Sequence, residues 1–211
     1  MQNNQKLNYN KHCNSLLQDI IEGYPQKSQD ILLHACCAPC SSAVLFKLKD
    51  VFKITLFFYN PNIDTSGEYK KREQELKKLA VDMHRDYGAT IDVIASPYTP
   101  EEFYCIAKGK ETCPEGGRRC KDCYKLRIKR TADEANESGF KYFCSTLSLS
   151  PLKNAGLLNT IGFENQTQKA LWLPSDFKKE NGYLKSIELS KKYELYRQDY
   201  CGCSFSKPEN M

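Results

Sequence analysis

Alternating strand-like and helix-like stretches predict an α/β protein: a parallel sheet of about five strands with helices on both faces. Three observations carry this prediction. Short apolar runs alternate with stretches of helical period along most of the chain. The runs at 31–35 and 53–59 are almost continuously apolar, as in strands covered on both sides. No internal repeat, low-complexity tract or long linker breaks the alternation. The chain therefore divides into an N-terminal extension at 1–29, a single α/β domain at 30–206 and a short tail at 207–211.

In the extension, Leu16, Leu17, Ile20 and Ile21 mark one short amphipathic helix, and the first ten residues are expected to be mobile. The first strand, 31–35, runs into a cysteine-bearing loop and then a helix to about Lys49. The second strand, 53–59, ends in Asn60-Pro61-Asn62, a turn. A long, densely charged helix follows over 66–87, with Leu76, Leu79, Ala80 and Met83 as its apolar stripe and Gly88 as its stop. The third strand is 91–95, and Glu101-Glu102 open a short helix. Residues 109–119 are irregular, and a helix from Cys120 ends near Gly139. A fourth strand at 142–144, a helix from about Leu152, a fifth strand at 170–173 and a last helix at 186–196 complete the pattern.

Composition narrows the function. A chain of 211 residues, 40% of them hydrophobic, buries a full core without disulfide staples. No apolar run approaches membrane-spanning length, and the polar stretch Met1 to Lys27 does not read as a secretory leader. A cytoplasmic location without a membrane partner is expected. There, eleven cysteines read as metal ligands or redox groups rather than as disulfides. The net charge of +5 permits a polyanionic partner without requiring one.

The cysteines fall into three constellations. Cys36, Cys37 and Cys40 lie on the loop between the first strand and its helix, where the helix N-terminus favours the thiolate. The carboxyl end of a strand is also where open α/β sheets bind ligands. Cys120 and Cys123 form a CxxC at another helix start. Four thiolates from two loops suit zinc or an iron–sulfur cluster, and spacing leaves the two equally open. Cys37-Ala-Pro-Cys40 also looks like a thioredoxin-type pair, but Cys36 and the second CxxC have no task in that chemistry. Cys201-Gly-Cys203 is the third constellation. A disulfide closed over so short a loop is strained and labile, so this pair reads as an electron store. Cys13, Cys105, Cys113 and Cys144 read as structural, and His34 as a hydrogen-bonded core residue. Arg118, Arg119, Lys121 and Lys125 form a basic cluster beside the CxxC, which suggests phosphate contacts with a nucleic acid.

Together these stretches resemble the cobalamin-independent epoxyqueuosine reductase family, QueH. The resemblance rests on Leu-Leu-His-Ala-Cys-Cys-Ala-Pro-Cys-Ser at 32–41, Phe-Phe-Tyr-Asn-Pro-Asn-Ile at 57–63, and Arg-Cys-Lys-Asp-Cys-Tyr-Lys-Leu-Arg at 119–127. Ser150-Pro151 with Lys153-Asn154, the stretch 173–179 and Tyr-Arg-Gln-Asp-Tyr-Cys-Gly-Cys at 196–203 extend it over about 31–206. Leu152 stands where the family pattern has His. The resemblance implies an adenine-nucleotide α-hydrolase-like fold and reductive removal of the epoxide oxygen from epoxyqueuosine at the wobble position of tRNA. It also implies a [4Fe-4S] cluster, an adjacent iron ion and an external electron donor. By position, Cys36, Cys37, Cys120 and Cys123 match the cluster ligands, and Cys201 with Cys203 matches a redox-active disulfide. Cys40 is within reach of the second metal on this view.

Two other functions compete. An ATP-dependent tRNA-thiolating enzyme of related fold needs a Gly- and Ser-rich pyrophosphate loop after the first strand, where this chain has Cys-Cys-Ala-Pro-Cys-Ser. A zinc-stabilised RNA-binding module has no use for the CxC pair.

Overall fold

The computed structural model describes residues 7–25 and 27–207. Five strands form one all-parallel sheet: β1 (Gln29–His34), β2 (Phe52–Phe58), β3 (Ile91–Ala95), β4 (Tyr142–Ser145) and β5 (Leu171–Trp172). Their order is β3-β2-β1-β4-β5, so the predicted α/β class holds. β1 sits in the middle and is buried from Ile31 onward, which explains its unbroken apolar run. β3 lies at an edge, and its residues alternate in exposure.

The helices follow the expected alternation: α1 (Tyr9–Gly23), α2 (Ala38–Leu48), α3 (Ser66–Tyr87), α4 (Pro100–Ala107), α5 (Arg118–Glu137), α6 (Ala155–Asn165) and α7 (Gly182–Lys192). Thr65 caps α3 by accepting from the Glu68 amide, and left-handed Gly88 ends it. α1 is longer than the expected helix because Asn8 caps it, accepting from the Lys11 amide. Its Cys13, Leu17 and Ile20 join the common core. Of the ten residues expected to be mobile, 1–6 lie outside the described residues, and Tyr9 and Asn10 open α1.

Three stretches differ from the sequence-based expectation. Thr146–Leu149 forms a 3-10 turn, organised by the Ser145 hydroxyl, which accepts from the Leu147 amide. α6 starts at Ala155 rather than Leu152, because Asn154 caps it through the Leu157 amide. α7 is displaced about one turn toward the N-terminus of the expected span, 186–196. Left-handed backbone at Asn181 launches it, and left-handed Glu194 prevents its continuation.

The sheet reverses direction of growth at β1. β2 and β3 lie on one side of it, β4 and β5 on the other. The crevice at the carboxyl ends of β1 and β4 is the ligand position of such sheets. The loop after β1 carries Cys36 and Cys37 into it.

On the far side of the sheet, Gly162 of α6 packs flat on Trp172, where an added Cβ would lie 2.1 Å from the indole ring. The same indole donates to Asn159 Oδ1 at 3.0 Å, so it cannot swing away freely. Gly162→Ala should therefore lower unfolding stability by about 1–3 kcal/mol, read from urea denaturation. Unchanged stability would contradict this packing.

Candidate metal centre

Cys37 is the N-cap residue of α2, in extended backbone at φ −171° and ψ 164°. The first turn of the helix then brings Cys40 round to the same side, as i and i+3 positions do. Cys36, Cys37 and Cys40 therefore converge, their sulfur atoms all within 4.8 Å of one another. The Cys36 and Cys37 sulfurs are 3.8 Å apart, so the vicinal pair is turned to one side of the loop. Thr146 of the 3-10 turn faces Cys36, with its Oγ1 3.5 Å from the sulfur.

Three thiols this close cannot all ionise. Hydrogen bonds from Cys37 and Cys40 hold Cys36 well below the usual thiol range. The same bond to Cys36 pushes Cys37 up to about 12 and Cys40 upward as well.

Cys120 and Cys123 open α5, and with Cys201 and Cys203 they line a small crevice. Burial raises Cys120 and pushes Cys123 up to about 12. A larger cavity of about 390 Å³ adjoins it, lined by Cys36, Cys40, Arg127, Lys153, Tyr183 and Asp199 among others. Cys201 lines both, so the sequence's three constellations meet around one site. Among the described residues the tight ligand group is Cys36, Cys37 and Cys40, and Cys120 and Cys123 face it from the neighbouring crevice. All of these cysteines are free thiols, Cys201 and Cys203 included.

Asn62 Oδ1, Arg72 Nη2, Arg119 Nε and Gln198 Oε1 are buried without a partner. Asn62 and Arg119 line the small crevice, Gln198 lines the cavity, and Arg72 lies against Gly202. A soft sulfur donor set with unsatisfied cationic donors around it suits an anionic thiolate–metal group.

Sequence reasoning misplaced one residue and overlooked two. Arg119 does not belong to the basic surface: it is 2% exposed, donates to the Lys110 and Glu111 carbonyls and stacks on Phe205 at 4.5 Å. It lies on the inner face of α5 with Cys123 and Arg127, at i, i+4 and i+8. Arg118, Lys121 and Lys125 remain exposed on the outer face. Arg127 and Lys153 enter the sequence reading only inside the matched stretches, with no role of their own, although the i+4 step from Cys123 to Arg127 is present in the helical period. Lys153 carries its ammonium into the cavity with no carboxylate in ion-pair reach among the described residues. Burial alone would lower it, but its electrostatic interactions with the surrounding cysteine and tyrosine side chains outweigh burial and raise it.

His34 is fully buried behind the cysteine loop. Its Nδ1 lies 2.9 Å from Ser145 Oγ, and its Nε2 lies 3.1 Å from the Tyr59 carbonyl oxygen and 3.3 Å from Arg127 Nε. Burial and then the Arg127 charge push His34 down to about 3, and the ring stays neutral. It is the hydrogen-bonded core residue expected of it.

The segment carrying Cys201 and Cys203 lies over the site as a strap. Arg72 Nη1 donates to the Cys201 carbonyl at 3.2 Å, and the Asp64 amide donates to the Gly202 carbonyl at 2.9 Å. Gly202 adopts φ +126°, and a Cβ there would meet Arg72, Asn62 and Ile63 at 3.2 Å each, so glycine is required. Tyr200 donates to Asp64 Oδ1 at 3.0 Å, and Lys207 pairs with Asp64 Oδ2 at 2.6 Å.

The family described as Epoxyqueuosine reductase QueH matches residues 31–209. The epoxyqueuosine reductase QueH of Staphylococcus epidermidis is 41% identical over 208 residues, covering 96% of this chain and 86% of its own. That of Streptococcus pyogenes serotype M1 is 38% identical over 209 residues, covering 98% of this chain and 80% of its own. That of Thermotoga maritima is 34% identical over 180 residues, covering 83% and 89%. Among solved structures, the U34-tRNA thiolase NcsA from Methanococcus maripaludis with its [4Fe-4S] cluster matches with a TM-score of 0.50, over 94% of this chain and 68% of that one. The two share 11% sequence identity, so this likeness concerns the fold alone.

The strap's hold is electrostatic at Asp64. Burial alone would push this carboxyl up, but the bonds from Lys207 and Tyr200 outweigh burial and keep it below the usual carboxylate range. A depressed carboxyl stabilises the fold above its unfolded pKa and loses that contribution as pH falls through the folded one. Protection of the amides over 200–207, relative to their unfolded exchange rates at the same pH, should therefore fall in acid below the ordinary carboxylate range, and in Asp64→Asn already at neutral pH. Protection in β1 and β2 should stay unchanged. Equal protection of the strap in the variant would remove Asp64 as its anchor.

Proposed function

The chain belongs to the epoxyqueuosine reductase QueH family, and from that premise we propose how its residues divide the work of reducing epoxyqueuosine to queuosine. It is an oxidoreductase. Converting an epoxide to an alkene consumes two electrons and two protons and releases water. The observation that carries the proposal is the convergence of three cysteine groups on two adjoining pockets, with Cys201 lining both.

In this proposal Cys36, Cys37, Cys120 and Cys123 hold a [4Fe-4S] cluster, and Cys40 reaches an adjacent iron ion. When bound, the cluster passes single electrons and the iron polarises the epoxide oxygen. Cys201 and Cys203 are the electron source in the protein: their oxidation from dithiol to disulfide releases both electrons and both protons that the reaction consumes, and a bound cluster would relay the electrons one at a time. An external donor then reduces the disulfide. Lys153 presents an ammonium to the cavity, where it stabilises negative charge as it builds on the departing oxygen. The substrate is tRNA. Arg118, Lys121 and Lys125, exposed on one face of α5, contact its phosphates, and Arg119 takes no part in that surface. No helix among the described residues is long and apolar enough to cross a membrane. The proposed location is the cytoplasm, where these thiols stay reduced.

The test is anaerobic reconstitution with iron and sulfide, followed by incubation with tRNA carrying epoxyqueuosine. Wild-type protein should bind iron and sulfide, and the nucleoside should lose one oxygen by mass. Cys120→Ser should lose iron and sulfide. Cys203→Ser should keep them and stall under multiple turnover with a thiol donor. Full metal content in the first variant overturns the ligand set, and wild-type steady-state rates in the second remove the dithiol from the reaction.

Binding should also depend on salt. Affinity for tRNA should fall log-linearly with salt concentration, and reversing Arg118, Lys121 and Lys125 together should flatten the slope by about two to three ions. An unchanged slope would place the phosphates elsewhere.

A further inference from the structure

Arg127 is among the largest fully buried side chains, at 1% exposure. Its hydrogen bonds go to neutral acceptors. Nη2 donates to Asn60 Oδ1 at 2.6 Å and Nε to His34 Nε2 at 3.3 Å, while Nη1 faces Cys123 Sγ at 4.0 Å. Among the described residues no carboxylate lies within ion-pair distance of it. Arg72 makes the contrast: it is buried to the same degree, but Glu68 pairs with it at 2.7 Å. A buried charge without an opposite charge is strongly disfavoured, so the partner of Arg127 must be an anion supplied by the site. The groups that could supply it are sulfurs: Cys123 Sγ faces the guanidinium, and Cys36, Cys40 and Cys201 line the same cavity as Arg127.

The guanidinium is also held rigidly. Asn60 is fixed in turn by its own donation to the Ala35 carbonyl at 2.9 Å. His34 is fixed by Ser145, and α5 carries the arginine itself. Such a charge does not move when the sulfurs change state.

We infer that Arg127 is a positioning residue of a particular kind: a permanent counter-charge that holds the ligating thiolates of both cysteine groups and raises the reduction potential of the metal group they carry. The inference rests on the ligand assignment proposed above. A fixed positive charge beside a redox centre favours the state with the extra electron, and the net charge around a cluster is one of the factors that set its potential.

The test compares Arg127→Gln, which keeps a donor for Asn60 but loses the charge, with Arg127→Lys, which keeps the charge. Two quantities are read: the gain in thermal midpoint on loading metal, and the midpoint potential of the reconstituted protein by spectroelectrochemical titration. Arg127→Gln should show a smaller loading gain and a more negative potential, and Arg127→Lys should restore both toward wild type. Equal destabilisation of the metal-free and loaded forms in Arg127→Gln, with an unchanged potential, would reduce Arg127 to a packing residue. An Arg127→Lys variant with a loading gain and potential well below wild type would overturn the role of charge, whether or not the Arg127→Gln variant folds. A wild type that takes up no iron or sulfide counts against the proposed function instead. Zinc(II), which needs the same thiolates, then reads the loading gain by itself.

Discussion

His34 and Ser145 face each other across the pairing of β1 with β4, and the 2.9 Å bond between them fixes the place where the sheet reverses. What lies beyond it depends on that bond. Cys36 and Cys37 follow His34 by two and three residues, Thr146 follows Ser145 directly, and Arg127 leans on the second nitrogen of the same ring. A neutral imidazole is needed here, since a protonated one would set two cations against each other in a dry interior. Burial and Arg127 together ensure it.

Much of this was legible in the sequence, for a local reason. The strand–loop–helix unit with Cys36, Cys37 and Cys40 is encoded by an apolar run, a proline in the first helical turn and a helical apolar period, all within twenty residues. The long α3 and the edge strand β3 carry equally local signals, a cap and an alternation. What could not be read depends on neighbours distant in sequence. Arg119 looks like surface charge until α5 is seen to turn it inward beneath Phe205. That Cys120 and Cys123 sit in the crevice shared with Cys201 and Cys203 follows from tertiary placement, which spacing does not specify. The displaced start of α7 is set by left-handed backbone at Asn181, a conformation Asn tolerates without requiring it.

The fold itself does not select the chemistry. The same sheet architecture serves a tRNA thiolase of quite different sequence. In this chain the first loop carries three thiols where a nucleotide-binding loop would carry glycines, and the interior of α5 faces that loop with Cys123 and Arg127. Side chains on two elements, rather than the topology, convert a phosphate crevice into a sulfur-lined one.

The central position of β1 has a kinetic consequence. Its second neighbour, β4, joins it through contacts such as His34–Ser145 that span 111 residues, and the strap closes through Arg72–Cys201 over 129. Contacts so far apart in sequence form slowly, because loop closure costs entropy before any contact repays it. The thiols of the first loop are therefore synthesised early and enclosed late. In that interval they stand open to oxidants and to stray metal ions, and correct loading becomes a race between folding and oxidation.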